Sequence, residues 1–184
     1  SLRANTGLDN NAFGHLALRN NTTGNDNVAV GAEALNSNTT ANNNTAVGNQ
    51  TLKYNTTGAE NVAVGAYALD ANTTPSNMTA VGYSSISSNT TGTSSTAFGS
   101  HSLAANTTGG SNTAVGNQSM QNNTTGYNNT ASGYQALNRN TTGHSNTALG
   151  YTALRLNTTG VYNVAISREA LDSNSTGSSN VAIG

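Results

Sequence analysis

The sequence predicts an all-β chain: a parallel β-solenoid of about eleven coils, each made by one 17-residue unit. Three observations carry that expectation. A motif close to Asn112-Thr113-Ala114-Val115-Gly116 returns at one constant spacing from end to end of the chain, its glycine standing at Gly31, Gly48, Gly65, Gly82 and Gly99. A fixed period of this kind is the signature of a solenoid or array. Of 20 glycines, 19 fall in only two phases of the period. The scarce large apolar residues likewise hold fixed columns, which an ordered stack needs and a disordered tract does not. Residues 1–184 therefore read as one uninterrupted array, and as a window of a longer fibre.

The unit runs N-T-A-V-G-x-x-A-L-x-x-N-T-T-G-x-x, and its first segment is the strand. The position three before the first glycine is Thr or Val, as in Val28, Thr45, Val62 and Thr113. The position just before that glycine is Val30, Val47, Val64, Val81 or Val115 in successive or nearby units. β-Branched residues two apart share one face of a strand, so this Val column is expected in the core. The alanine between them must face the other way. Ala29, Ala46, Ala63, Ala80, Ala97, Ala114, Ala131 and Ala148 form an unbroken file. That file is too small to fill a core alone and is expected to be a seam between chains. The glycine that closes the motif marks a turn.

The next element is a second apolar column four residues beyond that glycine, including Leu35, Leu69, Leu103, Leu137 and Leu154. Full burial of such a side chain is worth roughly 1.5–3 kcal/mol, which places the column inside. The N-T-T-G segment comes last and makes a corner, because Pro75 replaces its glycine in one unit and proline is excluded from a central strand. Stacked coils bring like residues about 4.7–4.9 Å apart. Asn38, Asn55, Asn72, Asn89, Asn106, Asn123 and Asn140 are then expected to form a hydrogen-bonded ladder. No unit has room for a helix between its glycines, and Thr and Asn are poor helix-interior residues.

Three variable dipeptides per unit hold every charged residue and every tyrosine, among them Lys53, Tyr54, Asp70, Tyr83, Tyr127 and Arg139. Restriction inside the columns and freedom outside them is the pattern of a buried stack with solvated corners. With a net charge of −1 and six Lys+Arg scattered singly, the chain has no electrostatic footprint for nucleic acid and no polybasic membrane patch. It contains no cysteine, hence no disulfide framework or thiolate metal site. No apolar run approaches the length of a membrane span.

The motifs resemble a known family. Asn61-Val62-Ala63-Val64-Gly65-Ala66-Tyr67-Ala68-Leu69 and Asn180-Val181-Ala182-Ile183-Gly184 look like the S-V-A-I-G-x-x-A repeats of YadA-like trimeric autotransporter adhesin heads. Similar arrays occur in bacterial surface and phage tail-fibre-like proteins. The resemblance implies a left-handed parallel β-roll, a homotrimer, and an extracellular place on a bacterial surface or virion. It departs in period, since those heads repeat on a shorter unit and the N-T-T-G corner is extra here.

Tests for chemistry fail. His15, His101 and His144 stand alone in three kinds of variable position, without a second histidine or a carboxylate at ligand spacing. The seven acidic residues are also scattered, whereas calcium-binding rolls carry an Asp in every turn. An enzyme, a cofactor and a metal are not expected. The N-x-T sequons recur too densely for glycans on every coil and read as structural. The function expected first is a structural and adhesive fibre or shaft that forms a homotrimer, associates end to end, or both. A phage tail fibre or receptor-binding shaft is the alternative, and an ice-binding roll the second. Against the last stands the expectation that adjacent threonines of N-T-T-G point to opposite sides.

Overall fold

Short strands form here because each unit offers only three consecutive residues free of turn chemistry, a β-branched pair flanking an alanine. The computed structural model describes residues 5–184. Its strands are β1 (Asn11–Phe13), β2 (Val28–Val30), β3 (Thr45–Val47), β4 (Val62–Val64), β5 (Thr79–Val81), β6 (Thr96–Phe98), β7 (Thr113–Val115), β8 (Thr130–Ser132), β9 (Thr147–Leu149), β10 (Val164–Ile166) and β11 (Val181–Ile183). They build one parallel sheet in sequence order. Every pairing joins equivalent residues of consecutive units, as Ala46 with Ala63 and Ala97 with Ala114, so one unit is one coil. Eleven strands and ten connections between them give ten complete turns. No helix occurs among the described residues.

The backbone bonds run between coils outside the strands as well. Leu35 N–H donates to the Thr51 carbonyl at 3.0 Å, Leu103 N–H to Ser119 at 2.9 Å, and Thr124 N–H to Thr141 at 3.0 Å. Nearly the whole outline of the coil is thus a parallel ladder, which meets the demand that buried backbone groups be paired.

The interior inverts one expectation. Ala29, Ala46, Ala63, Ala80, Ala97, Ala114, Ala131 and Ala148 are wholly buried inside the coil, so their file is not a seam between chains. The Val column lies on the opposite strand face and points outward: Val30, Val64 and Val115 are 37%, 36% and 39% exposed, and Val47 and Val81 are partly exposed. The reason is cross-section. So short a coil is narrow, and its axis already holds Leu35, Leu69, Leu103, Leu137 and Leu154, all at 0% exposure. Two asparagines and a small residue such as Ala34 or Ser102 also point inward in most coils. Only a methyl group fits on the remaining inward strand position, and the larger residues are left outside.

Three columns of non-glycine residues adopt positive φ; one of them carries Asp26, Asn43, Asn77 and Asn128, residues that tolerate this conformation, whereas the leucine column carries no turn signature. Leu35 (49°), Leu103 (54°) and their counterparts form one; Glu33 (59°) and Gln118 (57°) belong to a second; Asn43 (60°) and Ser111 (56°) belong to a third. Such a conformation costs roughly 1–2 kcal/mol for an L-residue. It aims the Leu side chain at the axis while its N–H reaches the next coil. Of the two glycine columns, the first does need a left-handed residue: Gly116 has φ 127°, and a Cβ there would lie 2.5 Å from the Gly133 carbonyl oxygen. At Gly109 the reason is space, because a Cβ would overlap the Gly126 carbonyl and approach Asn106 Oδ1 to 2.6 Å.

Candidate functional site

Two ladders of asparagine occupy the interior and fix the corners. In the N-T-T-G ladder each Nδ2 donates to the Oδ1 of the preceding coil and to the carbonyl three residues ahead in its own. Asn106 bonds Asn89 Oδ1 at 3.0 Å and Gly109 O at 2.9 Å, and its own Oδ1 accepts from Asn123 Nδ2 at 2.9 Å. The same pattern links Asn38, Asn55, Asn72, Asn89 and Asn140. All of these asparagines are at 0% exposure, so the amides of these N-T-T sequons are not accessible in the folded chain.

The second ladder was missed in the sequence, although asparagine opens nine of the eleven N-T-A-V-G motifs. Asn129 Oδ1 accepts from Asn146 N–H at 2.9 Å, and Asn129 Nδ2 donates to Gly143 O at 2.9 Å. It is interrupted at Met78, whose Sδ receives the Ser95 N–H at 3.4 Å. A nearly constant residue beside a strand was the available signal, but its inward direction depends on the turn that precedes it.

Three surfaces face solvent. The sheet face carries two columns, Thr/Val at the first strand position and Val30, Val47, Val64, Val81, Phe98, Val115, Ser132, Leu149, Ile166 and Ile183 at the third. The N-T-T-G edge exposes threonines in pairs. Thr22 and Thr23, Thr73 and Thr74, and Thr90 and Thr91 are all exposed, which corrects the expectation that such neighbours point to opposite sides: a tight corner turns both outward. The first threonine of most pairs donates its Oγ1 to the next coil's carbonyl, as Thr107 to Thr124 at 3.0 Å. The second, from Thr23 to Thr176, makes no side-chain bond to the protein among the described residues.

The corners carry the third surface, a set of aromatic files. Tyr134 stacks on Tyr151 with centroids 5.4 Å apart, His144 stacks on Tyr127 at 4.5 Å and meets Tyr162 edge-on at 5.3 Å, and Tyr83 lies between Tyr67 and His101. The three histidines are thus not brought together: His101 and His144 sit in different aromatic files, and His15 is exposed in the first coil. Charges pair between coils, Lys53 with Glu33 at 2.7 Å and Arg155 with Asp172 at 2.8 Å. The Lys53 hydrogen bond holds the Glu33 carboxyl below its ordinary range. Asp70 goes the other way, since burial raises its pKa and its Oδ1 has no hydrogen-bond partner. No cluster of metal-ligating side chains and no cavity occur among the described residues.

Comparisons with protein-family models, curated proteins and solved structures found no match.

Proposed function

We propose that the chain is a structural and adhesive fibre segment that works outside the cell, on a bacterial surface or virion, and associates with copies of itself. The observation that carries this is the division of labour within each coil. Inward positions are spent on one repeated stack, so adding a unit adds length and nothing else, while the outward dipeptides at the corners vary from coil to coil. Such a body is a spacer and a display surface. The aromatic files Tyr67/Tyr83/His101 and Tyr127/His144/Tyr162 are the places at which a surface ligand finds desolvated contact area, because aromatic rings dominate interface energetics. The homotrimer drawn from the resemblance had its seam on the alanines; with those inside, self-association falls to the sheet face.

Electron microscopy of the chain, beside a variant lacking residues 96–112, tests the spacer reading. The rod is expected to shorten by one coil, about 4.8 Å, with the remaining coils intact. Adhesion of beads coated with the chain, compared with Tyr127→Ser/His144→Ser/Tyr162→Ser, tests display. Unchanged adhesion to every surface tried would contradict the adhesive half.

The paired threonines favour ice binding as a second reading. Ten coils present an exposed hydroxyl and methyl at the second N-T-T-G position, identical from Thr23 to Thr176, where the internal hydrogen bonds require no threonine. Thermal hysteresis that disappears in Thr108→Tyr/Thr125→Tyr would establish it, and none in the native chain would discard it.

A further inference from the structure

We infer that two copies of this chain pair antiparallel through their sheet faces, about a two-fold axis that runs parallel to β7 in the plane between the sheets, level with Thr113 and Val115. The inference deepens the proposed self-association, on which it rests, by naming its surface, partner and direction.

The argument starts from side-chain size along the face. The third strand position is uneven: Phe98 is the bulkiest residue near the middle and Ser132, two coils on, the smallest. A two-fold axis along β7 sets each strand against the one equally far from β7 on the other side. Phe98 then meets the partner's Ser132, Val81 meets Leu149, Val64 meets Ile166 and Val47 meets Ile183, with Val115 on itself. Every pair joins a larger residue with a smaller one or two of middle size, so the gap between the sheets is filled evenly. The other outward column is nearly palindromic about the same point. Thr96 meets Thr130, Thr79 meets Thr147, Val62 meets Val164 and Thr45 meets Val181, and Thr and Val have nearly the same shape.

Other arrangements lose this match. Parallel rods in register put residues of one coil level together, which crowds the Phe98 level and leaves a void at Ser132. Shifting the antiparallel axis by half a coil sets Phe98 against Val115 and Val81 against Ser132. Overpacking costs typically 1–3 kcal/mol and unfilled gaps cost in proportion to their volume, so the even pairing wins.

The partner is a second copy because of period and charge. Only a surface with the same spacing of about 4.8 Å keeps successive side chains in step over many coils. No Asp, Glu, Lys or Arg stands at either outward strand position. The β3 to β11 overlap makes a strip about 40 Å long and 10 Å wide from strand spacing and rise. That footprint, about 400 Å² per copy, is smaller than a stable interface needs, so pairing is weak, reversible and dependent on concentration. The tyrosine corner adds to it, with Tyr83 opposite Tyr151 and Ser100 opposite Tyr134 under the same axis.

Because the native chain has no cysteine, single cysteines with a short bis-maleimide map the pairing. All the chosen positions point outward, and far-ultraviolet circular dichroism checks that each variant folds. Val115→Cys is expected to link to its own copy. Val64→Cys and Ile166→Cys are each expected to give no dimer alone, and to link when mixed. Ser132→Phe crowds Phe98 and is expected to weaken pairing about tenfold in sedimentation, the equivalent of about 1.4 kcal/mol, with recovery in Phe98→Ser/Ser132→Phe. A link between Val62→Cys and Val64→Cys when mixed, a self-linked Val64→Cys, or three-chain products would overturn the antiparallel pair while leaving self-association standing. Linking of Thr125→Cys on the N-T-T-G edge as efficient as that of Val115→Cys would show random collision and overturn the pairing. No dimer at any concentration would overturn both.

Discussion

Replacing Asn106 by alanine removes one rung from the middle of the N-T-T-G ladder, and the loss can be worked out bond by bond. Asn106 Nδ2 donates twice, to Asn89 Oδ1 and Gly109 O, and Asn106 Oδ1 accepts from Asn123 Nδ2. Three hydrogen bonds at about 1 kcal/mol each give roughly 3 kcal/mol. A buried side-chain void and the unpaired groups it leaves raise the total to about 3–5 kcal/mol. The neighbours are only partly orphaned, since Asn123 Nδ2 keeps its bond to Gly126 O at 2.9 Å. Urea unfolding of the native chain, Asn106→Ala and the exposed control Thr108→Ala measures this, with the control expected within about 0.5 kcal/mol of native. Asn106→Asp sharpens the test. A carboxylate there can donate to neither Asn89 nor Gly109, so its neutral form is favoured in the fold and the folded pKa is raised. The aspartate variant is then expected to be most stable below the unfolded carboxylate pKa and to lose stability as pH rises through that value up to the folded one. A loss below about 1 kcal/mol for Asn106→Ala, or an aspartate variant indifferent to pH, would refute the ladder as a source of stability.

Three further outcomes follow from the same packing. Ala114→Arg forces a charge into the packed interior and is expected to unfold its coil, whereas Val115→Lys, one residue on but outward, should leave the circular dichroism unchanged and abolish pairing in sedimentation. Ser167 stands where other units have glycine and holds φ 114°. Releasing that strain of about 1–3 kcal/mol outweighs the chain entropy of glycine, so Ser167→Gly is expected to raise Tm. Asp70 is pushed up by burial, which means its charged form destabilises the fold above the ordinary carboxylate pKa. Asp70→Asn should therefore raise Tm at neutral pH, and its advantage should vanish as acid protonates the native carboxyl in both states; an advantage that persists or grows in acid would contradict the assignment.

The period made most of the fold legible. Columns that recur once in every unit can be aligned only by stacking, and Leu103, Gly116 and Asn106 follow from that register with elementary chemistry. Facing was harder, because alternation says that Ala114 and Val115 point opposite ways without saying which way is in. Burial of the larger residue is the ordinary rule, and it fails where Leu103 and two asparagines already fill a narrow coil. The positive φ of Leu103 was invisible for a related reason, as leucine carries no turn signature and adopts this conformation only because the next coil holds its N–H. The outward pairing of Thr107 with Thr108 depends on the same tight corner. At the surface, Phe98 and Ser132 read as noise in a repeat until the sheet face was known to point outward.

The claim on which all of this rests is that one repeat unit makes one turn of a β-coil. Fibre diffraction from an aligned film of the chain measures it directly. A strong reflection along the rod axis at about 4.7–4.9 Å, the spacing of neighbouring strands, is the expected result; an axial repeat near roughly 10 Å per unit, or helical circular dichroism from the same film, would contradict it.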